Sequence, residues 1–566
     1  MEREVEQLLK IALCTCNGKI DKKCFEKLKE VFDVEIFSNL CEEKPENFFN
    51  IVGCSYRAVK DLGRLQLDLN ELVFLKQEDA VRKAELLLNA YGKLLDVDRD
   101  LVEVNVDASL LVETNDVEFA KKLQKVFDPL YIVTTNEKMR GVGIPILGKV
   151  EGFEGELGNF KVFVNGINLH TGESVSEITV AQLLLQNLGF KKDGVFGFED
   201  VLDAVSNVGE FVKFKAIEYD ESKCAASFNG ISGCNLCECM HKCLFRGEKI
   251  RIEHKSCFGC GRCSALCPTN ALKFSLMPEN VVREIIDVLS QYEGSKVLLY
   301  VCEDAVGKIF GNGRTETFFP VIVPCIAALS EVEILYPLLR GFNGVYVLHC
   351  SDCPHGDFRG LELAKNLCEA FNVDNLVSKT EFDVELVKKL VGKDSLDLSF
   401  VLGGKNKREA LVEIVKKIKE KRELKHSKIE AVGFGKVKVN ENCTLCDTCH
   451  RICPNEALKK EKGRLTFIHG LCINCKLCEK LCPENAIFVA PENIDLNEFE
   501  IEKVVREEEF LKCPRCGREH ISKREYLKLS EITGQKFSLM FCDDCRPVVI
   551  FEGLYREIFG EKNEPS

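Results

Sequence analysis

The chain has 566 residues, a formal net charge of −13 and 31 cysteines. That length excludes a single core and requires several domains. The acidic balance, with Lys and Arg scattered, excludes a phosphate backbone as partner, and the charged start MEREVEQLLK, without an apolar signal core, makes the cysteines reduced, cytoplasmic metal ligands of an anaerobic protein rather than a disulfide framework.

In chain order, residues 1–99 alternate apolar runs (IALCTC, VEIFSNLC, NIVGCS, ELVFL) with charged helix-like stretches, an α/β pattern that leaves Cys14, Cys16, Cys41 and Cys54 at or just after strand ends. Residues 100–220 continue with LLVET, a helix, LYIVTT and KVFVN, and contain no cysteine. Residues 221–278 are dense in cysteine. Residues 279–380 return to strand and helix alternation: KVLLYVC, FFPVIVPC, ALSEVEILYPLLRG, GVYVLHC and LELAKNLCEAF. Residues 381–436 form a helical connector, 437–495 a second cysteine-dense module, and 496–566 a charged tail with four cysteines. The longest apolar stretch is broken by Pro320, Pro324, Glu331, Glu333 and Pro337, so no membrane span is expected.

CTLCDTCHRICP from Cys443 and CINCKLCEKLCP from Cys472 both read C-x2-C-x2-C-x3-C-P. This is the spacing of two-cluster bacterial ferredoxins, in which the fourth cysteine ligates the other cluster. It assigns one 4Fe-4S cluster to Cys443, Cys446, Cys449 and Cys482, and a second to Cys472, Cys475, Cys478 and Cys453. CFGCGRCSALCP from Cys257 is a third complete motif, but its partner segment is irregular, with Cys224, Cys234, Cys237, Cys239 and Cys243 competing for four roles. The exchange rule groups Cys257, Cys260, Cys263 and Cys243. It leaves Cys267 with three of the others, Cys234, Cys237 and Cys239 being favoured. The fold class expected is therefore multidomain α/β plus two α+β ferredoxin modules.

In residues 279–380, Cys302, Cys325, Cys350 and Cys353 end strands or open the turns after them, where open α/β sheets place ligands, and four converging thiolates suit a 2Fe-2S cluster. His349 and His355 are read as surface or hydrogen-bonding residues, and Cys368 as core. The stretch VPCIAALSEVEILYPLLRGFNGVYVLHCSDCPHGDFRG resembles the delta subunit of methyl-viologen-reducing hydrogenases. That resemblance implies a 2Fe-2S relay between a hydrogenase and heterodisulfide reductase. CTCNGKID, NLCEEKPENF, VGCSYRAVKD and EGFEGELGNFKVFV resemble the flavin-binding, A-type subunit of heterodisulfide reductase, which implies a further 4Fe-4S cluster on Cys14, Cys16, Cys41 and Cys54.

That family binds flavin on a Gly-rich turn, whereas the equivalent segment here, SLLVETNDVEFAKKL, has no G-x-G-x-x-G. FAD is not expected, and residues 100–220 are read as a degenerate nucleotide-binding-like domain. In the tail, Cys513, Cys516, Cys542 and Cys545 form two C-x2-C pairs, the pattern of a zinc ribbon, with a rubredoxin-like iron as the competing reading. The array implies an electron-transfer component of an oxidoreductase rather than an autonomous catalyst. Its expected partners are heterodisulfide-reductase-like, hydrogenase or formate dehydrogenase subunits, or ferredoxin. The alternative is a flavin-dependent or direct small-molecule reductase subunit.

Overall fold

The computed structural model describes residues 10–14, 22–38, 49–54, 63–68, 77–186, 192–228, 231–237, 239–247, 249–309, 318–351, 353, 358–396, 400–461, 463–534 and 536–560. They form two compact units. The first comprises Met1–Ser222, Leu236–Ala410 and Lys417–Lys425; the second comprises Lys223–Asn235, Leu411–Lys416 and His426–Ser566.

The first unit opens with strands β1 (Lys10–Cys14), β2 (Asp33–Phe37), β3 (Phe49–Cys54) and β4 (Gly63–Asp68), parallel in the order β2-β1-β3-β4. Charged Lys22–Glu30 is helical and buries Phe25 and Leu28. The ELVFL run and most of MEREVEQLLK lie outside the described residues. Helix α1 (Gln77–Gly92) follows, and its Tyr91 hydroxyl accepts the Ile322 N–H at 3.2 Å.

Next come β5 (Leu101–Val106), β6 (Leu110–Glu113), α2 (Val117–Leu123), β7 (Leu130–Thr134), β8 (Ile144–Glu156), β9 (Asn159–Asn168), β10 (Ser174–Val180), β11 (Gln182–Leu184), β12 (Val195–Phe196) and β13 (Gly209–Phe214). Seven of these make one sheet, β10-β9-β8-β7-β6-β11-β12. It is parallel from β12 to β8 and antiparallel beyond, so an open α/β half carries a long hairpin at one edge. EGFEGELGNFKVFV is that hairpin.

The first cysteine-dense module is framed by β14 (Ile217–Tyr219) paired with β15 (Leu272–Phe274), with α3 (Arg262–Leu266) between them. It therefore begins at Ile217, a few residues before the boundary read at 221. After it, α4 (Glu279–Ser290) packs against α1 and is followed by a parallel sheet of β16 (Val297–Cys302), β17 (Phe318–Val323), β18 (Gly344–Leu348) and β19 (Leu376–Lys379), ordered β17-β16-β18-β19. Every residue of β16 is buried, as expected of a strand covered on both faces. Helices α5 (Glu331–Leu339) and α6 (Arg359–Ala370) complete the layer, and Cys368 lies in its core at 4 % exposure, as read. A buried Arg283–Glu333 pair, 3.0 Å apart, ties α4 to α5. The connector holds α7 (Val384–Val391) and α8 (Lys407–Lys421), the latter opened by an Asn406/Glu409 capping box.

In the second unit, β20 (Gly435–Val439) pairs with β23 (Ile487–Pro491), enclosing α9 (Thr448–Arg451), the hairpin of β21 (Leu458–Glu461) and β22 (Arg464–Ile468), and α10 (Leu477–Lys480). Strand β24 (Glu502–Glu507) adds to β22. The tail thus contributes its first strand to the ferredoxin-like module, and only β25 (Phe510–Lys512), β26 (Glu519–Ser522), α11 (Lys523–Thr533), Lys536–Leu539 and α12 (Cys545–Phe559) build the C-terminal piece. No described helix is long and apolar enough to cross a membrane.

Candidate metal centres

In the second module, Cys443, Cys446, Cys449 and Cys482 line one cavity. Cys453, Cys472, Cys475 and Cys478 line another. Each cavity takes three cysteines from one motif and the last cysteine of the other. The turns are possible because residues two and four after each first cysteine are left-handed: Leu445 and Asp447, then Asn474 and Lys476. This conformation aims N–H groups inward, from Leu445 to Cys443 and from Leu477 to Cys475. The last cysteines accept N–H groups from Ala457 at 3.2 Å and Ala486 at 3.3 Å. Burial and the neighbouring thiols push Cys449 up to about 12 and Cys475 up to about 11. Four thiols enclosed this way cannot all ionise without a cation among them, which is the chemistry of a cluster site.

The first module repeats the turn with Gly259 and Gly261 at the left-handed positions. Cys257, Cys260 and Cys263 gather there, Cys260 being pushed up to about 12 by burial. The irregular segment departs from the expected grouping. Cys239, assigned to the other cluster, exerts its charge on all three of these thiols. Cys243, assigned to this one, holds its sulfur 3.2 Å from the carbonyls of His241 and Ser256. Its single S–H goes to one of these or to Cys239; given to Cys239 it joins the N–H groups of Cys243, His241 and Leu244 in holding that thiol down to about 6 despite burial. Cys267 accepts the Leu272 N–H at 3.4 Å and Cys224 that of Ala226 at 3.4 Å. The division of the chain places Cys237 in the first unit with Cys267, and Cys224 and Cys234 in the second. There Ala225 and Cys234 pack against Ile473, Leu477 and Cys475.

In the α/β domain, Cys302 ends β16, Cys325 follows β17 and Cys350 follows β18, so parallel register brings them to one sheet edge. The Cys302 and Cys350 sulfurs are 3.8 Å apart. Donation from the Cys325 thiol, against burial and with N–H groups of Asp304 and Ile326 assisting, holds Cys302 down to about 7. Cys325 is pushed well up by Cys302 and Cys353, either of which can accept its single S–H, and by burial. The carboxylate of Asp304 lies within 4.8 Å of the Cys302 and Cys350 sulfurs, a neighbour that a search for cysteine spacing passes over. His349 turns its Nδ1 to the Cys350 carbonyl at 3.1 Å and packs on Phe358; His355 lies outside the described residues.

At the N-terminus, Leu13 faces Gly53 across β1 and β3, so Cys14 and Cys54, one residue on, end adjacent strands at one level. Cys14 is buried, with its thiol 3.9 Å from the Ser38 carbonyl; Cys16, Cys41 and the Cys54 side chain lie outside the described residues. In the C-terminal piece, Cys513, Cys516, Cys542 and Cys545 place all four sulfurs within 4.8 Å of one another. Cys513 directly follows β25, and left-handed Gly517 closes its knuckle with an N–H to the Cys513 carbonyl at 2.8 Å. The second pair opens α12 instead of a second hairpin, which alters the ribbon expected from spacing.

A family model described as a 4Fe-4S binding domain matches residues 250–273 and 465–488, each match spanning one complete C-x2-C-x2-C-x3-C-P motif. None of the curated proteins compared matches the chain. The fold and these matches define an iron–sulfur protein with two ferredoxin-type 4Fe-4S binding domains.

Proposed function

We propose that the chain is a multi-cluster electron-transfer subunit, relaying electrons between a hydrogenase, formate dehydrogenase or ferredoxin and a heterodisulfide-reductase-like acceptor. The observation that carries this reading is the pair of cavities in the second module, each lined by four cysteines drawn from both motifs. Bound 4Fe-4S clusters supply one-electron chemistry, with potentials set by burial, charge and N–H bonds to sulfur. Cys302, Cys325, Cys350 and Cys353 would hold a 2Fe-2S cluster, and Cys513, Cys516, Cys542 and Cys545 one zinc. Cys14, Cys16, Cys41 and Cys54 would hold a further cluster, on the resemblance to the flavin-binding subunit of heterodisulfide reductase. The named partners rest on that resemblance and on the one to the hydrogenase delta subunit.

The chain's own residues argue against flavin. In a dinucleotide fold the pyrophosphate sits on the N–H groups of the helix after the first strand. Here the helix after β6 is capped by Asp116, whose carboxylate accepts from Glu118 and Phe119 at 2.9 and 3.0 Å. An anion already occupies that position and repels a second.

The test is metal, acid-labile sulfide and flavin content of anaerobically purified protein, with EPR of the dithionite-reduced sample. The proposal expects about 18–22 irons with matching sulfide, about one zinc and no flavin. Stoichiometric flavin would establish the reductase alternative, and about eight irons with several zincs would leave only the second module as an electron carrier.

A further inference from the structure

We infer that Cys239, and not Cys243, is the fourth thiolate of the site built from Cys257, Cys260 and Cys263; this rests on the iron–sulfur reading above. The argument is one of register. After the last cysteine of each regular motif the chain makes one particular turn. The third residue on is left-handed: Asn270 at φ 53°, Glu456 at 52° and Asn485 at 46°. A residue just beyond then returns its N–H to the sulfur, Leu272 to Cys267, Ala457 to Cys453 and Ala486 to Cys482, at 3.2–3.4 Å. Left-handed conformations are uncommon outside glycine, so three at one offset mark a built feature.

The irregular segment makes the same turn once, and it starts at Cys239. Lys242, three residues on, has φ 52°. The Cys243 N–H then reaches the Cys239 sulfur at 3.4 Å, four residues on as in the second module. Cys243 therefore stands where the regular motifs, C-P-x-x-A, carry Ala271, Ala457 and Ala486. Met240 replaces the proline, which is why spacing alone selects the wrong cysteine.

Cys243 has the surroundings of a neutral thiol. It is 3 % exposed and its sulfur contacts two carbonyl oxygens, of His241 and Ser256, which would repel a thiolate. It leads directly into the strand Leu244–Arg246 with no turn to present it. Cys239 accepts the Cys243 backbone N–H instead, and Cys243 in turn reaches the Ser256 carbonyl, which places Cys239 beside the start of the Cys257 motif.

The test compares Cys243→Ala, Cys239→Ala and Cys257→Ala in the full-length chain, purified anaerobically, by iron and sulfide content and EPR. Cys243→Ala is expected to keep wild-type iron and spectra. Cys239→Ala should lose between about one and about four irons, the smaller loss appearing as a three-iron signal in the oxidised protein. Cys243→Ser, which keeps the hydrogen-bond donor, should match wild type in EPR even where alanine weakens the fold; the second module's signals serve as internal control. Loss of iron from Cys243→Ala with that control intact, an altered spectrum in Cys243→Ser, or full iron in Cys239→Ala overturns the assignment. Full iron in Cys257→Ala would instead overturn the iron–sulfur reading of this module.

Discussion

Under the function proposed above, in which Cys267 is a cluster ligand, replacing Lys407 with Met should lower that cluster's reduction potential. Lys407 is 2 % exposed, and its ammonium donates to the carbonyls of Ser264, Ala265 and Cys267 at 2.7, 2.9 and 3.2 Å, while pairing with Glu279 at 2.8 Å. It caps the end of α3 where the helix dipole is negative. A cysteine sulfur lies on the order of 4 Å from its own carbonyl oxygen, so the charge stands roughly 7 Å from the ligand. At an effective dielectric of about 20, removing it costs the reduced cluster about 2.4 kcal/mol, or about 100 mV for one electron. Glu279 keeps Arg283 as a partner at 3.7 Å. EPR-monitored redox titration is the assay, with Lys407→Arg expected to hold the wild-type potential. Breaking this buried pair also destabilises the fold by about 3–5 kcal/mol, so the comparison requires samples with full iron. A shift below about 30 mV in such a sample would refute the placement of Lys407 against a ligand.

Three further outcomes are expected. Gly261→Ala puts a Cβ 2.5 Å from the Ala328 Cβ at φ +69°, costing about 2–4 kcal/mol. Gly259→Ala meets the movable end of Leu276 at 3.2 Å and the Ala216 Cβ at an ordinary 3.5 Å, and costs about 1–2 kcal/mol; urea unfolding of the two variants that ranks them the other way would contradict the packing. Chelation of the C-terminal metal should release about one ion per chain and expose 510–560 to protease, because the described core there consists of little beyond Cys513, Phe541 and Cys542; an unchanged digestion pattern would show that the fold does not depend on the ion. Burial depresses the pKa of His469 below 6.5, so the stability it contributes is present above that pH and lost as pH falls below it. The stability gap between wild type and His469→Gln should therefore narrow from pH 7.5 to 5.5, and a widening gap would mean that the imidazole is charged in the fold.

The parallel strands and the regular motifs were legible in sequence because their determinants are local. A short, continuous apolar run rich in β-branched and aromatic residues, such as VLLYVC, suits a strand covered on both faces, and a C-x2-C-x2-C-x3-C-P repeat fixes a loop by its own spacing. The pairing of β24 with β22 was not legible, since an exposed charged strand, EKVVRE, carries no sign of which edge it joins. The start of the first module at Ile217 depends on a two-strand register between residues more than fifty positions apart. The Cys239 turn was missed for a different reason. Its signal is backbone conformation at Lys242, a residue type with no preference for left-handed φ, and the proline that would have marked it is absent.

The metals proposed above can be set against the spacing of the thiols. A tetrahedral ion with metal–sulfur bonds of about 2.3 Å needs sulfurs about 3.8 Å apart, and the C-terminal four, all within 4.8 Å of one another, meet that. Among the described residues only one other group of three ligand atoms is as tight, Cys302 and Cys350 with Asp304. Cys325 and Cys353 touch their neighbours in that ring but are not within its common 4.8 Å. The ferredoxin-type cysteines do not meet within that limit in threes. Protein made in zinc-rich, iron-replete medium should therefore carry about one zinc per chain, lost in Cys542→Ser and unaffected by Cys475→Ser. Zinc rising to several per chain would mean that the wider cages collapse onto single ions and that their width does not select the metal.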